Sequence, residues 1–327
     1  MIVTPSPSTA PPSAGAAPAG DWRIDRVRAL ARASHAVPDE ALEIVDETAS
    51  TNTDLMQRMK ALSRAGAEPG VQALRVAYRQ TAGRGRQGRS WHAGEGNALT
   101  FSLGCVLPRP LAQLAGLSLA VGTAIVEGLR TLPLDDASRI VLKWPNDVLL
   151  DASREDALRG ALATEPRLPL SGGKLAGVLI ETAWSTPAES AAVIGIGINV
   201  RHDEALAAEL EAAALNVPAQ ARATPPAALS QAWRDANLTD TLAAVLGALV
   251  GMLERFSADG FAPFRERWSA YHAYADRDVV LLEKGVELAR GTALGVDETG
   301  QLLLATTSGL RTVATGDVSL RLAQSAP

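Results

Sequence analysis

Arginine and glycine alternate in the segment GRGRQGRSW, residues 83–91. A guanidinium matches phosphate oxygens with two parallel hydrogen bonds, and glycine lets the backbone come close to a ligand. The spacing fits two nucleotide-binding patterns. Gly83, Gly85 and Gly88 form G-x-G-x-x-G, and residues 83–90 form a P-loop with arginine in place of lysine. These residue types suit a loop that holds a phosphate, and they also suit a solvated basic turn.

The elements on either side of this loop argue against both patterns. Each pattern requires a helix directly after its last glycine, because the helix N-terminus helps to hold the phosphate. Here Gly94 and Gly96 interrupt any helix, and the next predicted element is a strand over residues 97–107. We therefore interpret the loop as a connection between two strands. On the loop alone, a phosphate-binding connection and a solvated basic turn both remain open.

The remaining elements predict an α+β fold with a central mixed sheet flanked by helices, because strands and helices mix without regular βαβ alternation. Residues 277–323 differ, since short strands separated by glycine turns predict a small antiparallel barrel or sandwich. We expect a Pro/Ala-rich disordered tail over residues 1–20, a catalytic domain over 21–274 and a small domain over 275–327. Predicted strands cover 71–80, 97–107, 174–184 and 191–200, with a strand–turn–strand over 139–151 and helices over 111–130, 201–215, 240–260 and 261–275.

Composition restricts the functional class. The chain has 327 residues, 47% of them apolar, with a net charge of −5 and a pI of about 5.5. An acidic chain argues against DNA binding, and one cysteine, Cys105, suits a reducing compartment. The four histidines are scattered and predict no metal cage. The apolar stretch 111–130 contains Gln113 and Glu127, which favours a core helix over a membrane span. We expect a cytoplasmic protein.

Five motifs occur in an order that resembles the biotin–protein ligase family. They are STN at 50–52, GRGRQGRSW at 83–91, KWPND at 143–147, KLAGVLIE at 174–181 and GIGIN at 195–199. The resemblance runs from about residue 41 to the C-terminus. It implies a class II synthetase-like catalytic fold with an SH3-like C-terminal barrel. It also implies that biotin reacts with Mg²⁺-ATP to give biotinyl-5′-AMP, which biotinylates a lysine on a biotin carboxyl carrier protein, such as that of acetyl-CoA carboxylase.

The resemblance also implies the site residues. The expected catalytic residues are Arg84, Arg86, Lys174 and Asp147. Those expected to bind biotin are Ser50, Thr51, Asn52, Gln80, Gly83, Arg84, Gly85, Arg86, Trp91, Lys174, Gly177 and Gly195. Those expected to bind ATP are Arg86, Arg89, Trp91, Lys143, Asn146, Asn199 and Arg321. The chemistry fits, because two anions meet in the first step and cations must neutralise them. Asp147 is expected either to orient the incoming lysine or to help place Mg²⁺, and no resident metal is expected.

Two departures and two alternatives complete the interpretation. Only some forty residues precede the first strand, fewer than a DNA-binding domain needs, so we expect a ligase-only type with no DNA partner. Residues 152–173 form an excursion beside the expected site, interpreted as a surface insertion. A lipoate–protein ligase and a non-catalytic biotin sensor are the alternatives. The sequence leaves the oligomeric state open, with a homodimer as one option.

Overall fold

The structure is a computed structural model. It describes residues 23–33, 36–62, 67–152, 172–215, 222–283, 285–314 and 318–323. The predicted tail over 1–20 and nearly all of the excursion 152–173 lie outside the described residues.

A seven-stranded mixed sheet forms the larger part of the protein and confirms the predicted fold class. Its strands lie in the order β1-β2-β3-β7-β6-β5-β4, and only β1 and β2 pair in parallel. The bounds are β1 Leu42–Thr48, β2 Gly70–Gln80, β3 Ala98–Leu107, β4 Ile140–Lys143, β5 Asp147–Asp151, β6 Gly172–Ser185 and β7 Ser190–Asn199.

Helices cover both faces of this sheet. Successive side chains in a strand point to opposite faces, so neighbouring residues meet different helices. On one face, α2 packs on Val106 of β3 and Val193 of β7. On the other face, Phe101 and Ile194 join a core that includes the long helices. The helices are α1 Arg26–Leu30, α2 Thr51–Ala61, α3 Leu117–Leu129, α4 Glu204–Leu215, α5 Leu238–Asp259 and α6 Arg265–Tyr271.

The predicted helix over 111–130 is shorter than expected. Residues Leu111–Leu114 form a separate 3-10 turn, and α3 begins only at Leu117. Gly116 interrupts the two because its φ of 81° lies in the left-handed region, against the ring of Phe261. By length and composition, Leu111–Leu129 and Leu238–Asp259 would each suffice to cross a membrane, but most of each apolar window is buried inside the protein. Both fit core helices, as expected for α3.

A second sheet, of five antiparallel strands, lies at the C-terminal end. Its order is β11-β10-β9-β8-β12, and its buried side chains, such as Leu281, Leu304 and Leu320, join the core of the large sheet. The bounds are β8 Asp278–Glu283, β9 Val286–Val296, β10 Leu302–Thr306, β11 Gly309–Val313 and β12 Val318–Leu322. This confirms the predicted small β domain.

The small domain contacts the larger one at the turn between β4 and β5. Trp144, in that turn, is fully buried, and its indole Nε1 donates a hydrogen bond to the carbonyl of Gly300 at 3.1 Å. Arg321 of β12 also reaches across, with its Nε donating to the carbonyl of Arg222 at 3.2 Å. The two parts therefore meet beside the residues that the sequence assigns to the nucleotide.

Candidate active site

A cavity of about 250 Å³ opens on the face of the large sheet that carries α2. The GIGIN segment explains its floor. Gly195, Gly197 and Asn199 face the cavity, and the intervening Ile196 and Ile198 are buried in the core on the opposite face. Because side chains alternate along the strand, glycine and asparagine face the cavity and isoleucine faces the core beneath it.

The N-terminus of α2 forms one end of the cavity. Ser50 is the N-cap, and its hydroxyl accepts a hydrogen bond from the Thr53 N–H at 3.5 Å. The Thr51 N–H donates to Gln80 Oε1 at 2.9 Å, and the Thr51 hydroxyl donates to the same oxygen at 3.2 Å. These bonds fix the Gln80 amide and gather polar groups at this end of the cavity.

Asn52 is held by the protein on every side. Its Oδ1 accepts from the Ser102 hydroxyl at 2.6 Å, and its Nδ2 donates to Glu181 Oε2 at 3.0 Å. A Cβ on Gly195 would lie 2.1 Å from Asn52 Oδ1. Gly195 therefore makes room for Asn52, a role the sequence argument had not assigned to it.

The arginine loop folds as a hairpin-like excursion from the sheet. Arg84 and Ser90 form an antiparallel bridge, and the Trp91 N–H donates to the Gly83 carbonyl at 2.9 Å. No α-helix follows, as the sequence predicted. Gln87, at the tip, has a φ of 59°, which turns the chain back. The loop runs along the cavity, with Arg84 and Arg89 exposed and Arg86 partly buried.

Two loop arginines bind partners across the cavity. Arg84 makes a bidentate pair with Glu181, with Nη2–Oε1 at 2.9 Å and Nη1–Oε2 at 3.2 Å. Arg86 Nη1 donates to Asn146 Oδ1 at 3.1 Å, which joins the loop to the KWPND turn. Arg89 stays on its own loop, donating to Gln87 Oε1 at 3.1 Å. All three of these arginines therefore line the cavity.

Trp91 forms an apolar wall at the end of the loop. Its indole lies directly on Gly197, where a Cβ would come within 2.5 Å of the ring. The Lys174 ammonium lies 5.8 Å from the ring centroid, within the range of a cation–π contact. The indole Nε1 of Trp91 is buried and has no hydrogen-bond partner among the described residues. A flat ligand group would pack against the open part of this ring.

Asp147 lies between two lysines. Its Oδ1 is 2.6 Å from Lys174 Nζ, and its Oδ2 is 3.5 Å from Lys143 Nζ. Burial alone would raise the pKa of Asp147, but the two ammonium groups outweigh it and hold the pKa well below its usual range. Asp147 therefore stays anionic and is a weak base.

Lys143 is almost fully buried below this carboxylate and donates to the Thr224 hydroxyl at 2.9 Å. Burial lowers the pKa of Lys143 to about 8, and the attraction of Asp147 offsets only part of that effect. Its charge is therefore sensitive to pH near neutrality.

A β-bulge brings Lys174 to the cavity. The register between β5 and β6 shifts so that Lys174 and Ala176 oppose consecutive residues, Leu149 and Val148. Lys174 and Gly177, three apart, then share one face, and a Cβ on Gly177 would lie 3.0 Å from Lys174 Nζ. Asn199 Nδ2 donates to the carbonyl of Lys174 at 3.1 Å, which fixes the start of β6.

Most predicted site residues line this one cavity. The ones that do are Ser50, Asn52, Gln80, Arg84, Gly85, Arg86, Arg89, Trp91, Asn146, Asp147, Lys174, Gly177, Gly195 and Asn199. Thr51, Gly83, Lys143 and Arg321 do not line it. Thr51 is turned toward Gln80 and Ser102, Gly83 packs on the Trp91 carbonyl, Lys143 lies below Asp147, and Arg321 lies on the small domain.

Sequence reasoning missed the wall that α4 provides. Leu206 and Leu210, one turn apart on α4, line the cavity, as do Arg201 and Asp203 just before it. Asp203 Oδ1 accepts from the Leu206 N–H at 3.0 Å and caps the helix, and its Oδ2 accepts from Asn97 Nδ2 at 3.1 Å. An aspartate before an i, i+4 apolar pair was the available signal.

The described residues hold no group of three or more His, Cys, Asp or Glu side chains that would bind a metal ion. Two carboxylates among these residues, Asp147 and Asp203, line the cavity. Both oxygens of Asp147 face lysines, and those of Asp203 accept from the Leu206 N–H and from Asn97 Nδ2. This donor set does not form a protein cage for Mg²⁺. It fits a cation that arrives on substrate phosphates and keeps its waters.

The chain matches two family descriptions. Residues 47–199 match the Biotin/lipoate A/B protein ligase family, and residues 277–321 match the Biotin protein ligase C terminal domain. The first match covers the cavity floor and the arginine loop but ends before the wall that α4 provides, and the second covers nearly all of the second sheet.

Named relatives agree with these matches. The chain is 30% identical over 290 residues to the bifunctional ligase/repressor BirA of Escherichia coli, covering 86% of this chain and 74% of that protein. It is also 30% identical to the biotin–[acetyl-CoA-carboxylase] ligase of Paracoccus denitrificans, covering 83% and 97% respectively. The structure resembles the biotin protein ligase of Aquifex aeolicus in complex with biotin and ATP, with a TM-score of 0.59, 27% identity and coverage of 87% and 100%.

Proposed function

The chain belongs to the biotin protein ligases of the Biotin/lipoate A/B protein ligase family, and from that premise we propose that it attaches biotin to a carrier protein at the expense of ATP. In the first step a biotin carboxylate oxygen attacks the α-phosphorus of ATP, and pyrophosphate leaves. In the second step a lysine ε-amine attacks the acyl carbon, and AMP leaves with loss of the amine proton. The product is an amide between biotin and that lysine.

The convergence of Arg86 and Lys174 on one cavity is the observation that carries this proposal. Arg86 comes from the loop and Lys174 from the sheet, and both line the space between Trp91 and Asn146. A carboxylate and a phosphate repel each other as they meet, so a site for this step needs cations on both sides of the reacting atoms. The polar end at α2 then suits the ureido ring of biotin.

Individual roles follow from the contacts. We assign the carboxyl of biotin to Lys174, the acyl phosphate to Arg86 and the flat purine or the valeryl chain to Trp91. Asp147 acts by charge, orienting ammonium groups, because an anion whose pKa is held so low is a poor proton acceptor. Mg²⁺ arrives with ATP and shields its phosphates.

The wider assignment has three further parts. The acceptor we propose is a biotin carboxyl carrier protein, such as that of acetyl-CoA carboxylase, the enzyme named in the Paracoccus denitrificans relative. We place the boundary between the two domains near residue 275. We also propose a cytoplasmic location, because Cys105 is a buried free thiol and suits a reducing compartment.

Ligand selectivity tests the proposal against the lipoate alternative. We expect biotin to raise the thermal unfolding midpoint and to trigger ATP-dependent pyrophosphate release, with no response to lipoate at the same concentration. Stabilisation and pyrophosphate release with lipoate alone would contradict the assignment. Stabilisation by biotin with no pyrophosphate release would favour a biotin sensor.

A further inference from the structure

One turn of the small domain anchors the KWPND segment. This segment is the turn between β4 and β5, and Lys143 and Asp147 pair across its base. Between them, Trp144 is fully buried and donates to the Gly300 carbonyl at 3.1 Å. Lys143 and Asp147 are therefore attached to a different domain through the side chain of Trp144.

The anchoring turn is itself rigid. The Asp297 carboxylate accepts from the N–H groups of Thr299 at 2.8 Å and Gln301 at 2.9 Å. Gly300 is buried with a φ of 80°, and a methyl group on it would lie 3.0 Å from the Cα of Gly116 at the start of α3. The carbonyl that receives the indole N–H is thus fixed by a tight backbone contact.

Two other hydrogen bonds hold the segment from within the larger domain. Asn146 Nδ2 donates to the Val178 carbonyl at 2.8 Å, and the Ser118 hydroxyl donates to the Pro145 carbonyl at 3.3 Å. Neither contact involves Trp144, so the small domain supplies an independent support. Such a support matters here, because Lys143 and Lys174 repel each other and hold the geometry only if Asp147 stays between them.

We propose that Trp144 is a positioning residue for the ligase reaction and that Gly300 is its anchor. The hydrogen bond between them holds the β4–β5 turn so that Asp147 lies between Lys174 and Lys143 when the two substrates meet. The inference rests on the proposed function, because it concerns the rate of adenylate formation at the same site.

Two glycine variants test the anchor with matched backbone strain. Gly300→Ala and Gly285→Ala both place a side chain at a left-handed φ, of 80° and 83°, but only the first methyl meets another atom within 4 Å. We expect Gly300→Ala to lower kcat for biotin-dependent pyrophosphate release about 10- to 100-fold, the cost of a small misplacement of reacting groups. The KM for biotin changes less than kcat does, since α2 and Gln80, at the ureido end of the site, are untouched. Gly285→Ala keeps wild-type kinetics.

Trp144→Phe separates positioning from folding, because it removes the donor and keeps most of the ring. We expect the same selective loss of kcat, and we expect the double variant Trp144→Phe, Gly300→Ala to be no slower than the worse single variant. Thermal unfolding midpoints identify any loss that comes from unfolded protein. Folded single variants with wild-type kcat, a loss confined to KM, or additive losses in the double variant would each overturn the inference. A wild-type protein without pyrophosphate release would overturn the proposed function and the inference together.

Discussion

The ion cluster of Asp147, Lys143 and Lys174 could be predicted only in part. The residues that form it follow from the sequence, but their positions relative to one another do not. Their residue types lie in two motifs, so the sequence indicates their presence at the site. The position of Lys174 beside the ligand space depends on a β-bulge that no local sequence pattern predicts. The burial of Lys143 depends on contacts with residues distant in sequence, such as Thr224. The same holds for Gly195, whose function is to make room for Asn52.

Replacing Arg86 with glycine removes the guanidinium that we assign to the acyl phosphate. We expect biotinyl-AMP to escape from Arg86→Gly and to label lysines of bystander proteins, because the mixed anhydride is then held by fewer charged hydrogen bonds. Mass spectrometry of a mixture of carrier and bystander proteins measures this. Arg79→Gly is the control, since Arg79 pairs with Glu47 away from the cavity. Labelling by Arg86→Gly confined to the carrier would contradict the role.

Lys143 predicts a pH dependence of nucleotide binding. Its pKa is lowered to about 8, so the ammonium is present below that pH and is lost as the pH rises through it. Loss of a cation near the phosphates weakens their binding. We therefore expect the KM for ATP to rise above about pH 8, while that for biotin stays level. Lys143→Arg, whose charge persists at these pH values, removes the rise. A level KM for ATP in the wild-type protein from pH 7 to 9 would disprove this.

At the scale of elements, the strands were easier to predict than the helices that pack on them. Alternation in GIGIN and the mainly apolar run in β3 indicate buried strands, and both are found as predicted. The start of α3 was wrong because a single left-handed glycine divides the apolar stretch. The place of α4 against the cavity could not be predicted, since alanine and leucine occur around most of the helix and do not single out one face.

Asp203 connects α4 to the segment after the arginine loop. Removing an N-cap costs about 1 kcal/mol of helix stability, and Asp203→Ala also removes the bond to Asn97. We expect a higher KM for ATP with little change in the unfolding midpoint, because α4 covers the cavity without joining the main core. Asp25→Ala, which removes the cap of the distant helix α1, is the matched control. Equal kinetics in the two variants would contradict a role for α4 at the site.

At the scale of the whole molecule, His272 lies where α6 approaches the sheet and the small domain. Its ring stacks on Trp268 with centroids 4.6 Å apart, and neither ring nitrogen has a hydrogen-bond partner among the described residues. Burial lowers the pKa of His272 to about 3. The unfolded chain therefore binds this proton from about pH 6.5 downward, while the folded protein does not.

Acid should accordingly destabilise the protein through this residue. Because the unfolded state binds more protons between the two pKa values, stability falls as the pH drops, by up to about 1.4 kcal/mol per pH unit. We expect His272→Phe to reduce this slope between pH 6 and pH 4.5, measured by urea unfolding. Parallel pH slopes for the variant and the wild-type protein would contradict a buried neutral His272.

Transfer of biotin to a carrier domain tests the central claim most directly. The protein is incubated with biotin, Mg²⁺-ATP and a biotin carboxyl carrier fragment, and the products are analysed by mass spectrometry. We predict one biotinyl group on a single lysine of the carrier, with one AMP and one pyrophosphate released for each group transferred. Tight binding of biotin with an unmodified carrier would contradict the account.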